Sequence, residues 1–157
     1  MPRKFKYDIS IVFPLYNESN NILTVFENTR KAMLEIDRTF EIIFVNDGSE
    51  DDSLDILKAI QEKYFFVKVI SLFRNVGKSN ALEAGLNYTS SEIIVSLDID
   101  NQFNSNDIIK FIHKIEEGYD VVYGRRKDRK DDITVRITSK IFNMIVKLLT
   151  GLQFEDF

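Results

Sequence analysis

The sequence predicts an α/β fold with a mostly parallel sheet and helices on both faces, and three observations carry this. Five apolar runs of strand length alternate with longer amphipathic stretches along 157 residues. The runs are near-continuous in Ile and Val, as expected of strands covered on both faces. The alternation itself implies right-handed crossovers between parallel strands. With 44% hydrophobic residues and only 6 Gly and 2 Pro, the chain holds enough apolar side chains for one core and has no low-complexity segment.

In order, strands are expected at ISIVF (9–13), EIIFV (41–45), VKVISL (67–72), EIIVSL (92–97) and DVVYG (120–124). Pro14 follows the first run and is expected to end that strand, because it has no N–H to donate. Helix-period segments lie at 21–36, 52–64, 78–88, 105–117 and 134–149. Ser49, three residues before Asp52, has the form of a capping box for the second of these. Gly77 opens the third. Ser105 or Asn106 precedes the apolar set Ile108, Ile109, Ile112 and Ile115 of the fourth.

Composition excludes several function classes. The formal charge of −4 lacks the basic footprint of a general nucleic-acid binder, so no nucleic-acid partner is expected. The absence of cysteine removes thiolate nucleophiles and thiolate metal sites and fits a reducing, cytoplasmic compartment. No apolar run reaches the roughly 20 residues that span a bilayer. The lone histidine, His113, falls on the fourth amphipathic segment among Lys110, Lys114 and Glu116 and reads as a surface or packing residue.

In open parallel sheets ligands bind outside the carboxyl ends of the strands, so the loops after the strands are where chemistry is expected. In PLYNES, Tyr16 offers an aromatic face to a base or packs on its own fold, and Glu18 offers an acceptor. In NDGSEDD, Asp47 is placed to accept from the N3 of uracil or the N1/N2 edge of guanine, or else belongs to a solvated Asp-Gly turn. In FRNVGKSN, Arg74 and Lys78 bring positive charge to a helix N-terminus that attracts anions. Neither a P-loop nor a dinucleotide fingerprint is present there.

DIDNQF sets Asp98, Asp100 and Gln102 at alternate positions after the fourth strand. Hard carboxylate and amide oxygens suit Mg²⁺ or Mn²⁺, and alternate residues of an extended segment point to one side. The alternative is a merely solvated acidic loop. GRRKDRKDD gathers Arg125, Arg126, Lys127, Arg129 and Lys130, either as a clamp for phosphate groups or as a surface loop compensated by its own acids.

Together the loops resemble the family 2 glycosyltransferases of the GT-A fold, in the branch of dolichyl- and polyprenyl-phosphate mannosyl- or glucosyltransferases. The resemblance rests on SIVFPLYNE (10–18), FVNDGSEDDS (44–53), RNVGKSNALEAGL (74–86), DIDNQF (98–103), GRRKDR (124–129) and TGLQFED (150–156), which span nearly the whole chain in order. It implies that Pro14, Tyr16, Glu18 and Asp47 line the nucleotide pocket, with Arg126 and Arg129 on phosphate groups; Lys78 joins the binding set by its charge at the helix N-terminus. It also implies that Asp98, Asp100 and Gln102 bind the divalent ion, and that Asp98, Asp100 and Arg126 carry the catalysis. The chain departs from the family pattern at Asn46, where an aspartate is common, and at Arg125, where a smaller residue is usual.

The function this implies is inverting transfer of a hexose from a UDP- or GDP-sugar to a polyprenyl or dolichyl phosphate at a membrane surface. The cofactor is Mg²⁺ or Mn²⁺, and in full length the protein is expected at the cytoplasmic membrane face. Residues 1–157 are expected to be a single GT-A catalytic domain cut short at its carboxyl end. An enzyme using a hydroxyl acceptor would need a carboxylate base, with Glu155 and Asp156 as candidates. A domain that binds nucleotide sugar without transferring it is the third reading.

Overall fold

Four parallel strands, β1 (Tyr7–Leu15), β2 (Phe40–Asn46), β3 (Val67–Ser71) and β4 (Ser91–Ser96), form one sheet in the order β3-β2-β1-β4. The computed structural model describes residues 6–99 and 106–124, and these elements belong to the unit Met1–Val122. Between the strands run α1 (Ser19–Leu34), α2 (Ser53–Lys63) and α3 (Lys78–Asn87), and α4 (Asn106–Glu116) follows β4. The first four expected strands and the first four expected helices are all present, with ends shifted by one or two residues.

The strand order decides where each helix lies. The steps from β1 to β2 and from β2 to β3 go the same way across the sheet, so right-handed crossovers put α1 and α2 on one face. The step from β3 to β4 returns over two strands and puts α3 on the other face. The buried side chains agree. Ile9, Ile11, Phe13, Ile42, Phe44 and Val95 pack with Ile22, Phe26 and Met33 of α1, Leu57 of α2, and Ile108 and Ile112 of α4. Val12, Ile43 and Val45 pack with Ala81 of α3.

α1 buries Ile22, Val25, Phe26, Thr29, Ala32 and Met33, a stripe at helical spacing. Phe26 meets Tyr64 at 4.9 Å between ring centroids, and Phe13 stacks on Phe44 at 5.4 Å. Each such large side chain removed from water contributes about 1.5–3 kcal/mol. α3 is seated differently, on small residues. A Cβ on Gly85 would stand 2.5 Å from Val12 Cγ1 and 2.8 Å from Val45 Cγ2, so only glycine lets this helix lie so close to the sheet.

At the amino end of the sheet, Glu41 is fully buried. Its Oε1 accepts from Ser10 Oγ at 2.6 Å and from the Ser90 N–H at 3.0 Å, while Lys68 Nζ lies 2.6 Å from Oε2. Burial pushes this carboxyl up, but donation from Lys68, Ser10 and Ser90 outweighs it and holds the group below the usual glutamate range. The network joins β1, β2 and β3 to the residue that precedes β4.

Four expectations are corrected. DVVYG (120–124) is not a strand: residues 121–124 take no regular structure, and Val121 is 78% exposed, because an apolar run makes a strand only where a neighbour completes its ladder. Covering on both faces holds for β1 and β2 but not for β4, which alternates between buried and exposed because it is the edge of the described sheet. Pro14 does not end β1, since it stays in register with Val45 and Leu15 follows it in the strand. What Pro14 ends is the pairing with β4, whose last pair is Val12 with Ser96. Ser49 does not cap α2, which starts four residues later and whose first residue, Ser53, donates its N–H to Asp51 Oδ1 at 3.0 Å. The expected helix at 134–149 lies outside the described residues.

Candidate functional site

The sheet's order reverses between β1 and β4, since their connections leave on opposite faces, and a crevice opens at their carboxyl ends. Alternate residues of β1 serve alternate neighbours: the Val12 carbonyl accepts from Leu97 on the β4 side, and the Leu15 carbonyl accepts from Asp47 on the β2 side. Pro14, two residues after Val12, addresses the β4 side and has no N–H to offer. The two strands part there. A cleft of about 280 Å³ occupies the gap, lined by Pro14, Leu15, Tyr16, Glu18, Asp47, Lys78, Asp98 and Ile99.

Three loops are tied together around this cleft by short polar side chains. Asn17, in the left-handed region at φ 55°, donates its N–H to Ser49 Oγ at 2.9 Å and accepts the Glu50 N–H on Oδ1 at 2.8 Å. Glu18 N–H donates to Ser53 Oγ at 3.0 Å, and Ser19 N–H donates to Asp51 Oδ2 at 3.1 Å. The loop after β1 is thereby fixed to the loop after β2. Burial raises the Asp51 carboxyl, but the hydrogen bonds from Ser53 and Ser19 outweigh it and hold the group down at about 2.

A second set of contacts ties the loop after β2 to the loop after β3. Asp47 is buried, and its two oxygens accept from the backbone N–H groups of Val76 at 2.8 Å and Gly77 at 2.9 Å. It is therefore neither a solvated turn residue nor a carboxylate without partners, although each oxygen keeps a second lone pair for a ligand. Gly48 beside it has φ +67°, and a Cβ there would stand 2.4 Å from the Arg74 carbonyl carbon. At Gly48 the two loops meet backbone to backbone, beside the Asp47 carboxylate that bonds them.

Lys78 and Asp98 complete the cleft. Lys78 is the first residue of α3, and its ammonium pairs with Oδ1 of Asp98, two residues past β4. Tyr16 is 39% exposed on the cleft wall, so its ring is open to a planar ligand. Glu18 Oε2 accepts from Asn21 Nδ2 at 2.6 Å. The lining thus holds three carboxylates against one ammonium, which disfavours an anionic ligand arriving without a cation.

Six of the expected site residues are brought together: Pro14, Tyr16, Glu18, Asp47, Lys78 and Asp98. Asp100, Gln102, Arg126 and Arg129, with Arg125, Glu155 and Asp156, lie outside the described residues. Arg74 is exposed and meets Gly48 through its backbone. His113 is exposed on α4, 3.4 Å from Glu116. Among the described residues no cluster of three or more metal-ligating side chains is assembled, and Asp98 stands as the described member of the expected set. A hard carboxylate already drawing a cation fits Mg²⁺ or Mn²⁺.

Sequence reasoning missed Asn17, Asp51 and Ser53 as the residues that join the loops. For Asp51 and Ser53 the signal was the local run of short hydrogen-bonding side chains in NDGSEDDS, which reads first as a helix start; Asn17 lies apart from it, in PLYNES. Among the described residues no helix is long and apolar enough to cross a membrane.

The family model of glycosyl transferase family 2 matches residues 10–155. An undecaprenyl-phosphate 4-deoxy-4-formamido-L-arabinose transferase from Pseudomonas syringae pv. syringae is 38% identical over 158 residues, covering 99% of this chain and 46% of its own. Its counterpart from Yersinia pestis is 35% identical over 150 residues, covering 95% and 46%. The chain thus spans about half the length of these relatives. Glucosyl-3-phosphoglycerate synthase from Mycobacterium tuberculosis, in complex with phosphoglyceric acid, superposes with a TM-score of 0.66 at 22% identity, covering 93% of this chain and 51% of its own. In complex with Mn²⁺, UDP and glucosyl-3-phosphoglycerate it superposes with a TM-score of 0.55 at 25% identity, covering 70% and 40%. The fold is that of the GT-A glycosyltransferases, and the chain belongs to glycosyl transferase family 2.

Proposed function

We propose that this chain is the donor-binding part of an inverting glycosyltransferase that moves a sugar from a nucleotide diphosphate sugar to a polyprenyl phosphate. The observation that carries it is the meeting of Tyr16, Glu18, Asp47, Lys78 and Asp98 in one cleft where β1 and β4 part. These residue types match the parts of such a donor. Tyr16 stacks on the base, Glu18 and Asp47 accept from its N–H edge or the ribose, and Lys78 meets the diphosphate. Arg126 and Arg129 are proposed for the phosphates of donor or lipid.

Asp98, with Asp100 and Gln102, would hold Mg²⁺ or Mn²⁺. When bound, the ion supplies Lewis-acid stabilisation of the departing diphosphate. A solved neighbour named above carries Mn²⁺ and UDP, which supports the same pairing of metal and nucleotide here. In the transfer, an oxygen of the lipid phosphate forms the new bond to the anomeric carbon as the bond to the nucleotide diphosphate breaks, with inversion. The acceptor is already anionic near neutral pH, so no side chain has to take a proton from it.

The relatives' names specify undecaprenyl phosphate and an arabinose derivative, which supports a polyprenyl phosphate acceptor; a membrane's cytoplasmic face is the place proposed for the reaction. The hexose expected from the sequence and the 4-deoxy-4-formamido pentose of these names are then the two donor classes to compare. The test is transfer to undecaprenyl phosphate from a panel of UDP- and GDP-sugars, read by mass spectrometry of the lipid product. Glycosylated lipid from the wild type and none from Asp98→Asn is the expected result. Full activity in Asp98→Asn, or product only with hydroxyl acceptors, overturns the reading.

A further inference from the structure

We propose that Lys78 is a displaceable counter-ion that couples divalent-cation binding to nucleotide binding. This deepens the donor-site reading and rests on it. The Lys78 ammonium pairs with Oδ1 of Asp98, the carboxylate expected to receive the metal. Among the described lining residues it is also the one positively charged side chain, against Glu18, Asp47 and Asp98.

Two features suit it to leave. Its backbone is fixed: the N–H of the preceding residue, Gly77, donates to Asp47, and Ala81 and Gly85 press α3 onto the sheet, so the base of the side chain is held at the cleft wall. Its side chain is not, being 64% exposed on a flexible four-carbon stem. An ammonium and a divalent cation repel one another at a single carboxylate oxygen, so the incoming ion has to displace Lys78. The displaced ammonium stays within reach of the cleft, where the diphosphate of a nucleotide gives it a new partner. Nucleotide therefore raises the affinity for the cation, and by linkage the cation raises the affinity for nucleotide by the same factor. A lysine that served only the phosphate would leave binding of the bare cation unchanged when removed.

The test titrates Mn²⁺ into the purified protein with and without UDP or GDP, following bound Mn²⁺ by electron paramagnetic resonance and correcting for the Mn²⁺–nucleotide complex formed in buffer. The wild type is expected to bind Mn²⁺ at least about tenfold more tightly with its nucleotide present. Lys78→Met is expected to bind bare Mn²⁺ about fivefold more tightly than the wild type and to lose the part of the enhancement by nucleotide that comes from moving Lys78. Lys78→Arg should retain the enhancement. Lys78→Gln carries the same expectation as Lys78→Met should the latter not fold. Unchanged Mn²⁺ affinity and unchanged enhancement in the neutral variants overturn the counter-ion role and leave the donor site standing. A wild type that binds neither Mn²⁺ nor nucleotide overturns both.

Discussion

The carboxylate of Asp47 accepts the backbone N–H of Gly77 at 2.9 Å across a sequence separation of 30 residues. Its other oxygen takes the N–H of Val76 at 2.8 Å, so one buried side chain holds the approach to α3, and with it Lys78, against the end of β2. A carboxylate that looks from sequence like a ligand group is also a brace. Asp47→Asn keeps one acceptor but turns an NH₂ group toward an N–H donor. We expect this to lower unfolding stability by about 1–3 kcal/mol, measured by urea denaturation, and to weaken nucleotide binding as well. Unchanged stability would show that the loop holds itself.

Gly48→Ala tests the same junction from the other side. The position needs φ +67°, and the new methyl would fall 2.4 Å from the Arg74 carbonyl carbon, which is backbone and cannot rotate away. Left-handed strain and overpacking together are expected to lower stability by about 2–4 kcal/mol. The check is the shift in urea midpoint at constant slope.

How much of this was legible in advance follows from what kind of force fixed each feature. The four strands and four helices were readable because burial writes a period into the sequence, as at Ile9, Ile11 and Phe13 on one face of β1 and Val12 on the other. The fifth run misled because Val121 is apolar without having a strand partner among the described residues. The cleft was legible as a set of loops, since parallel strands bring their carboxyl ends together. The pairings within it were not: Lys78 with Asp98, Asn17 with Ser49 and Asp47 with Val76 join residues whose spacing carries no local pattern. Pro14 was read correctly as a missing donor and placed on the wrong consequence, because a strand between two neighbours can lose one ladder and keep the other.

The acid response should come from carboxylates held down by hydrogen-bond donors. Glu41 and Asp51 both titrate below their ordinary values of 4.5 and 3.8, Asp51 at about 2. A depressed pKa gives stability that is fully present above the unfolded value and lost as pH falls through the folded one. Stability should therefore hold from about pH 7 to pH 5 and then fall steeply toward pH 2. Glu41→Gln should be less stable at neutral pH, by about 1–3 kcal/mol from the lost charged hydrogen bonds, and should show a shallower fall in acid. Urea unfolding across that range checks both, and an identical acid slope in Glu41→Gln would remove Glu41 from the explanation.

The central claim is that the parting of β1 and β4 makes a site for a nucleotide diphosphate and a divalent cation together. Calorimetric titration of UDP, GDP and their sugars into the protein, with and without Mn²⁺, tests it most directly. The expected result is saturable binding of one nucleotide class that strengthens with Mn²⁺ and is lost in Asp98→Asn. Binding of neither class in the presence of Mn²⁺, or binding indifferent to both Mn²⁺ and Asp98, would contradict it.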